Sequence, residues 1–367
     1  MKNKNNPFYY SLPAIRGVQA GKEYYVSIFP FKYLSALFEQ AEANLPPELK
    51  AQRTLNTTRI PEMVKYIVEN DSDYVFSSLT ASISEAVEFI PSEKEGTKSD
   101  TGILKIPLNA KVLINDGQHR RAAIQAALEE NPELEEETVS IVFFIDINLQ
   151  KSQQMFADLN RHAVRTTKSL GILYDHRDPL AQLCSRLIQN VPAFIGMTEK
   201  EKPKISNREN KLFTLSGIYK ATSVLLDYSK AEKITKKQEQ VAKRFWIEVS
   251  KNIPDWINAK ERKISPYILR QDFIHTYGLT LQAIAKAGNI LIEKHDDWPK
   301  RLKGLRSIDW SRDNHNLWNG RAIVHGRIKK GSQNIILTAN VIKRALKISL
   351  TKQEKEAEEK FKKEYGS

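Results

Sequence analysis

The stretch 111–121, KVLINDGQHRR, constrains the fold more than any other part of the chain. Residues 111–114 are an apolar run of strand length, and Asn115-Asp116-Gly117 after them is a turn signal. Helical spacing begins at once with Gln118 and continues through RRAAIQAALEE. A strand that runs straight into a helix needs a sheet to join and a layer to cover it. Further on, residues 140–147 (SIVFFIDI) read as a fully buried strand and residues 149–159 as a helix. Strand, turn, helix, strand, helix in that order predicts an α+β unit.

Other elements follow from pattern. Residues 23–29 and 74–83 read as strands, and 60–69 as a helix with Pro61 in its first turn. The polar stretch 91–102 reads as a surface loop, and the acidic run 129–137 as a solvated loop closing a helix. From about Leu170 the pattern turns helical, with candidates at 179–189, 212–228, 238–249 and 267–286 and a basic connector at 200–210. Within 310–348, β-like runs at 322–324 and 334–337 precede a final helix with Thr338 as its N-cap. The Lys/Glu tail 352–365 reads as an exposed helix with little core. The resulting division is a sheet-bearing domain at 1–170, a helical domain at 171–310, a basic β-turn-helix element at 311–351 and a charged tail at 352–367.

Charge narrows the function. The chain carries a formal +13, but residues 1–150 sum to −6 and residues 151–367 to +19. A positive excess confined to one part points to a polyanion such as nucleic acid, because clustered Lys and Arg release its counterions. The plainer alternative is a lysine-rich solvated surface. Cys184 is the sole cysteine, which excludes an internal disulfide or a cysteine-based zinc cage. No run of eighteen apolar residues occurs and the N-terminus has no apolar signal core, so neither a membrane helix nor export is expected, and the cytoplasm is the expected compartment.

The start of the helix at Gln118 carries the chemistry. Backbone N–H groups there lack partners and sit at the positive end of the helix dipole, so an anion binds readily. Gly117 has no Cβ to obstruct a phosphate. Arg120 and Arg121 place two cations in the first turn, where positive charge is unfavourable without an anion, and Gln118 and His119 add donors. The alternative is structural: Asp116 caps the helix and the arginines pair with the acidic run. Gln52, Arg53 and Arg59 stand just before the helix at 60–69, placed to meet either phosphate or solvent. Arg161, His162 and Arg165 form a basic cluster after the helix at 149–159.

These residues carry a resemblance. Asp116-Gly117-Gln118-His119-Arg120 matches the DGQHR signature, and DGQHRRAAI resembles the GERRxRA box of ParB-like nucleotide-binding domains. Phe156 to Arg161 with Lys168-Ser169-Leu170 resembles the ENxQR box, except that Asn160 and Arg161 are adjacent here whereas that box separates its Asn and Arg. Stretches at 13–21 (PAIRGVQAG), 52–61, 74–82 (YVFSSLTAS) and 317–327 (LWNGRAIVHGR) resemble the DndB family of DNA phosphorothioation systems, and the similarity extends to about residue 351.

The resemblance implies an N-terminal ParB-like domain and a mainly helical, basic C-terminal part. It implies a repressor that binds double-stranded DNA at its own gene cluster, beside the enzymes that replace a non-bridging phosphate oxygen with sulfur; those enzymes and a second copy of the chain are the protein partners to consider. Related DGQHR proteins are associated with nucleotide hydrolysis, which calls for a nucleoside triphosphate (ATP or CTP) with Mg as cofactor and for no protein-built metal cage. Under that reading Asp116, His119 and Asn160 are the catalytic candidates, and Gly117, Gln118, Arg120, Arg121 and Arg161 bind phosphate.

In the C-terminal part, the basic turn at 326–331 leads toward a helix on which Lys343, Arg344 and Lys347 share one face opposite Val341, Leu346 and Ile348. Arg327, Lys329, Lys330, Lys343, Arg344 and Lys347 read as phosphate contacts and Asn340 as a base reader in the major groove. The alternative is a surface helix packed on the bundle. DNA-binding repression ranks first, nucleotide hydrolysis second, and docking of the modification enzymes through the acidic residues 133–137 third.

Overall fold

The computed structural model describes residues 8–43, 57–92, 99–147, 151–161, 167–228 and 233–365. The chain divides into two units, Met1–Val164 and Arg165–Ser367.

The first unit is a seven-stranded mixed sheet with helices packed on it. Alternating apolar residues form β1 (Tyr9–Gln19) and β2 (Lys22–Pro30), joined by Ala20 and Gly21, both at positive φ (51° and 73°), the backbone of a two-residue hairpin turn. The remaining strands are β3 (Leu79–Ile83), β4 (Glu88–Pro91), β5 (Thr101–Pro107), β6 (Val112–Asp116) and β7 (Thr138–Ile145). Their order is β4-β5-β1-β2-β7-β3-β6, and only the β3–β7 pairing is parallel. The helices are α1 (Phe31–Ala43), α2 (Ile60–Val68), α3 (Gln118–Glu130) and α4 (Ser152–Arg161). Phe38, Ile67, Ile114, Ile124, Ile141 and Phe143 meet in one core.

Three elements depart from the sequence reading. β1 was not foreseen because Pro13 interrupts it; the pyrrolidine takes an interior strand position and its carbonyl accepts a hydrogen bond from Ser27 Oγ at 2.7 Å. β7 is not buried on both faces: Val139, Ile141 and Phe143 are buried, whereas Val142 and Phe144 are half-exposed, and Phe144 stacks on Tyr24 at 5.6 Å. Thr101 and Gly102, read as loop, begin β5.

The second unit is helical: α5 (Lys168–Tyr174), α6 (Pro179–Asn190), α7 (Leu215–Leu226), α8 (Lys236–Asn252), α9 (Asp255–Lys260), α10 (Pro266–Asp272), α11 (Gly278–Lys294), α12 (Trp298–Arg301), α13 (His315–Trp318), α14 (Ser332–Ala345) and α15 (Lys352–Tyr365). α11 lies between α7 and α14, and Trp246, Trp256 and Trp318 are fully buried. Short strand pairs join β8 (Thr198–Glu199) to β9 (Phe213–Thr214) and β10 (Ile323–Val324) to β11 (Arg327–Ile328). Residues 311–351 and the tail belong to this unit, and Trp318, Ala339, Ile342 and Leu346 enter its core.

Two expectations here are corrected. The final basic helix starts at Ser332, not at Thr338, which is buried in mid-helix; residues 334–337 are helical because Leu337 faces the core and Asn334 Nδ2 donates to the Arg321 carbonyl at 2.6 Å. The tail is not a bare solvated helix: Glu354, Ala357 and Glu358 of α15 are buried against α14.

Candidate functional site

β6 delivers the chain directly into α3. Gly117 is the N-cap residue at φ +101°, and no side chain caps the helix. Asp116 therefore does not play the capping role considered for it; its carboxylate pairs with Arg120 at 2.6 Å. Arg120 also donates to the carbonyl oxygens of Ser77 and Ser78 and to Ser77 Oγ, fastening α3 to the strand entry of β3. Arg121 is buried and donates to Gln125 at 3.3 Å. Neither arginine pairs through these bonds with the acidic run. Gln118 turns back to the Ile114 carbonyl at 3.4 Å. Gly117 has its own packing reason: a Cβ there would lie 2.4 Å from Leu79 Cδ2.

His119 is half-buried. Desolvation, and then the charge of Arg59, hold its ring below the ordinary 6.5. Arg59 is exposed in the 3-10 turn before α2, and its charge is felt by the His119 ring at the start of α3. Substituting Arg59→Ala should move the His119 titration back toward 6.5, read by NMR of the ring proton; an unchanged titration would break the coupling. Gln52, Arg53, His162 and Arg165 lie outside the described residues, as do the side chains of Asn160 and Arg161 at the end of α4.

Asn115 went unread as a structural residue. It is fully buried, and its Nδ2 donates to Ser82 Oγ at 2.7 Å and meets Met155 Sδ at 3.0 Å, which ties β6 to β3 and α4. A run of polar letters gives no local sign of such a link. Among the described residues no cluster of three His, Cys, Asp or Glu suits a metal ion. A Mg-bound triphosphate finds a poor donor set at the start of α3, since the carboxylate of Asp116 is already held by Arg120. In the acidic run, Glu136 pairs with Lys32 and Glu137 accepts from the Tyr74 hydroxyl.

The basic element of the second unit separates into two groups. Arg327, Lys329 and Lys330 are exposed, as are Arg344 and Lys347. Arg327, Lys329 and Lys330 lie on and just after a hairpin whose tip, His325-Gly326, has positive φ (49° and 69°) and is held by Arg312, which donates to the Gly326 carbonyl at 3.0 Å; Arg344 and Lys347 lie at and just past the far end of α14. Asn340 and Lys343, read as DNA contacts, are instead completely buried. Asn340 Nδ2 donates to Glu358 Oε1 at 2.9 Å, and Lys343 is paired with Glu354, because α15 covers that face of α14. Arg321, which lay unremarked in LWNGRAIVHGR, forms a bidentate pair with Glu358 at 2.6 and 2.8 Å and stacks on Phe361 at 4.0 Å.

Comparison with known proteins gives one match. The family model DndB, described as DNA-sulfur modification-associated, matches residues 12–349, so α15 lies beyond the matched stretch. No curated protein and no solved structure matches the chain. Among the described residues no helix is long and apolar enough to cross a membrane.

Proposed function

The chain belongs to the DndB family of DNA-sulfur-modification-associated proteins, and from that premise we propose that it is a regulator that binds double-stranded DNA of its own modification gene cluster. The observation that carries the reading is the succession of exposed Arg327, Lys329 and Lys330 on a held hairpin, within a stretch (151–367) of net charge +19. Three cations spaced along one turn suit consecutive backbone phosphates. Gly331 provides no side-chain cap for α14, so the first N–H groups of that helix add donors for a phosphate oxygen beside Lys329 and Lys330. Arg344 and Lys347 extend the contact, and base reading is not assigned to the buried Asn340.

In the first unit, phosphate binding is proposed for the face that Arg59 and His119 share at the start of α3, with Asn160 and Arg161 retained from the resemblance. We also propose that this unit is ParB-like, while turnover of a Mg-bound triphosphate is disfavoured because Arg120 already holds the Asp116 carboxylate. The modification enzymes of the cluster are the proposed protein partners.

Binding of upstream DNA, measured against salt, tests the reading. Each phosphate contact contributes about −0.9 to the slope of log affinity against log salt. The Arg327→Ala/Lys329→Ala/Lys330→Ala variant should therefore lose about 2.7 from the slope, so the weakening between 50 and 200 mM salt should shrink about forty-fold. An unchanged slope would remove the hairpin from the interface. Equal affinity for upstream and scrambled DNA would remove sequence selection.

A further inference from the structure

The N-termini of α7 and α11 meet at a pair of glycines. A Cβ on Gly217 would lie 3.7 Å from Cα of Gly278, and one on Gly278 would lie 3.6 Å from Cα of Gly217. In front of this junction is a cavity of about 280 Å³. Its lining contains three cations, Lys204, Arg270 and Lys330, and no carboxylate. Like charges gathered round a hollow repel one another unless an anion sits among them.

The three cations play different parts. Arg270 is 8% exposed and gives its guanidinium to the carbonyls of Ser206, Glu209 and Lys211, fastening the loop that walls the cavity. Its hydrogen bonds go to the loop while its charge remains at the cavity wall. Lys204 and Lys330 are exposed, and neither forms an ion pair with another described residue.

Two further groups point to an occupant. Thr276 is only 5% exposed and lines the cavity, yet its hydroxyl has no hydrogen-bond partner among the described residues. Its hydroxyl oxygen is not among the enclosed unpaired atoms, so it is open to the cavity and can bond to whatever sits there. The two helix starts also differ. α7 is capped by Thr214, which accepts from the Gly217 N–H at 3.1 Å, whereas α11 has Tyr277 as N-cap and no side-chain cap. The first N–H groups of a seventeen-residue helix are left to whatever enters. Ile205, Leu212, Leu281 and Ile328 give the lining an apolar part, beside the neutral polar side chains of Asn207 and Gln271.

We propose that this cavity binds a small phosphomonoester of nucleoside monophosphate size. The phosphate takes the N–H groups at the start of α11, the Thr276 hydroxyl and the ammonium groups of Lys204 and Lys330, and the organic part lies on Ile205, Leu212 and Leu281. The volume is at the small end of ligand sites, near 300 Å³, which suits one phosphate with one ring system and not a triphosphate. The site is separate from the proposed DNA contact except for Lys330, so Lys204 and Thr276 probe it alone.

The test is calorimetric titration of the full chain, without DNA, with adenosine and cytidine 5′-monophosphates and with adenosine itself. One saturable site is expected for at least one monophosphate and none for adenosine. Lys204→Ala and Thr276→Val should each weaken binding at least tenfold while the ligand-free melting temperature stays unchanged for Lys204→Ala. Absence of saturable binding by both monophosphates, equal binding of adenosine, or undiminished binding in Lys204→Ala would overturn the assignment. None of these outcomes bears on DNA affinity, so the two readings fail separately.

Discussion

Replacing Glu358 with alanine should destabilise the second unit by about 3–5 kcal/mol, the usual consequence of removing one partner from a buried ion pair. Arg321 and Glu358 have side-chain exposures of 8% and 5%, and their two hydrogen bonds are joined by those from Asn340 and Arg344 to the same carboxylate. Without it Arg321 stays under Phe361 with a buried, uncompensated charge. All five tryptophans of the chain lie between Trp246 and Trp318, so indole fluorescence during urea unfolding reports on this unit. An unshifted midpoint would mean that α15 does not hold α14 in solution. The acid side follows from the same geometry. Burial pushes the Glu358 carboxyl up, but hydrogen bonds from Arg321 and Asn340 and the charges of Arg321 and Arg344 outweigh it, leaving it below 4.5. A carboxyl lowered by folding contributes stability above its unfolded value and loses it as pH falls through the folded one. The native protein should therefore weaken below about pH 4.5 on this account, and the alanine variant should show a shallower acid limb.

The same residues explain which parts of the molecule were legible. Local periodicity and turn chemistry suffice for β2, for the β6-to-α3 junction and for α6 and α8, because each signals its own burial within a few residues. They fail where burial is decided at a distance. Glu354 and Glu358 sit in a run of Lys and Glu that looks solvated, and partners earlier in the chain bury them, Lys343 for Glu354 and Arg321, Asn340 and Arg344 for Glu358. Ile335-Ile336-Leu337 imitates a strand, yet the Asn334 contact with the Arg321 carbonyl sets it in a helix. At the start of α3 the cationic pair was visible, but the main-chain oxygens of Ser77 and Ser78 that receive Arg120 have no signature in side-chain letters.

Gly117→Ala provides the second large effect, an expected loss of about 2–6 kcal/mol in the first unit, with no ligand present. An L residue held at an unfavourable positive φ costs about 1–3 kcal/mol, and Gly117 stands at +101°. The new methyl would also press on Leu79 Cδ2 at 2.4 Å, where overpacking costs about 1–3 kcal/mol more. Leu79 is fully buried at the start of β3, so its side chain has little room to turn aside and the strain passes to the strand that pairs with both β6 and β7. Hydrogen exchange should accordingly quicken at the amides of β3 and β6. A glycine kept only to admit a phosphate predicts the opposite pattern: native exchange in the free protein and a defect confined to anion binding. Exchange rates in the ligand-free variant therefore separate the two reasons for the residue, and the +101° backbone and the Leu79 contact make the structural one sufficient by itself.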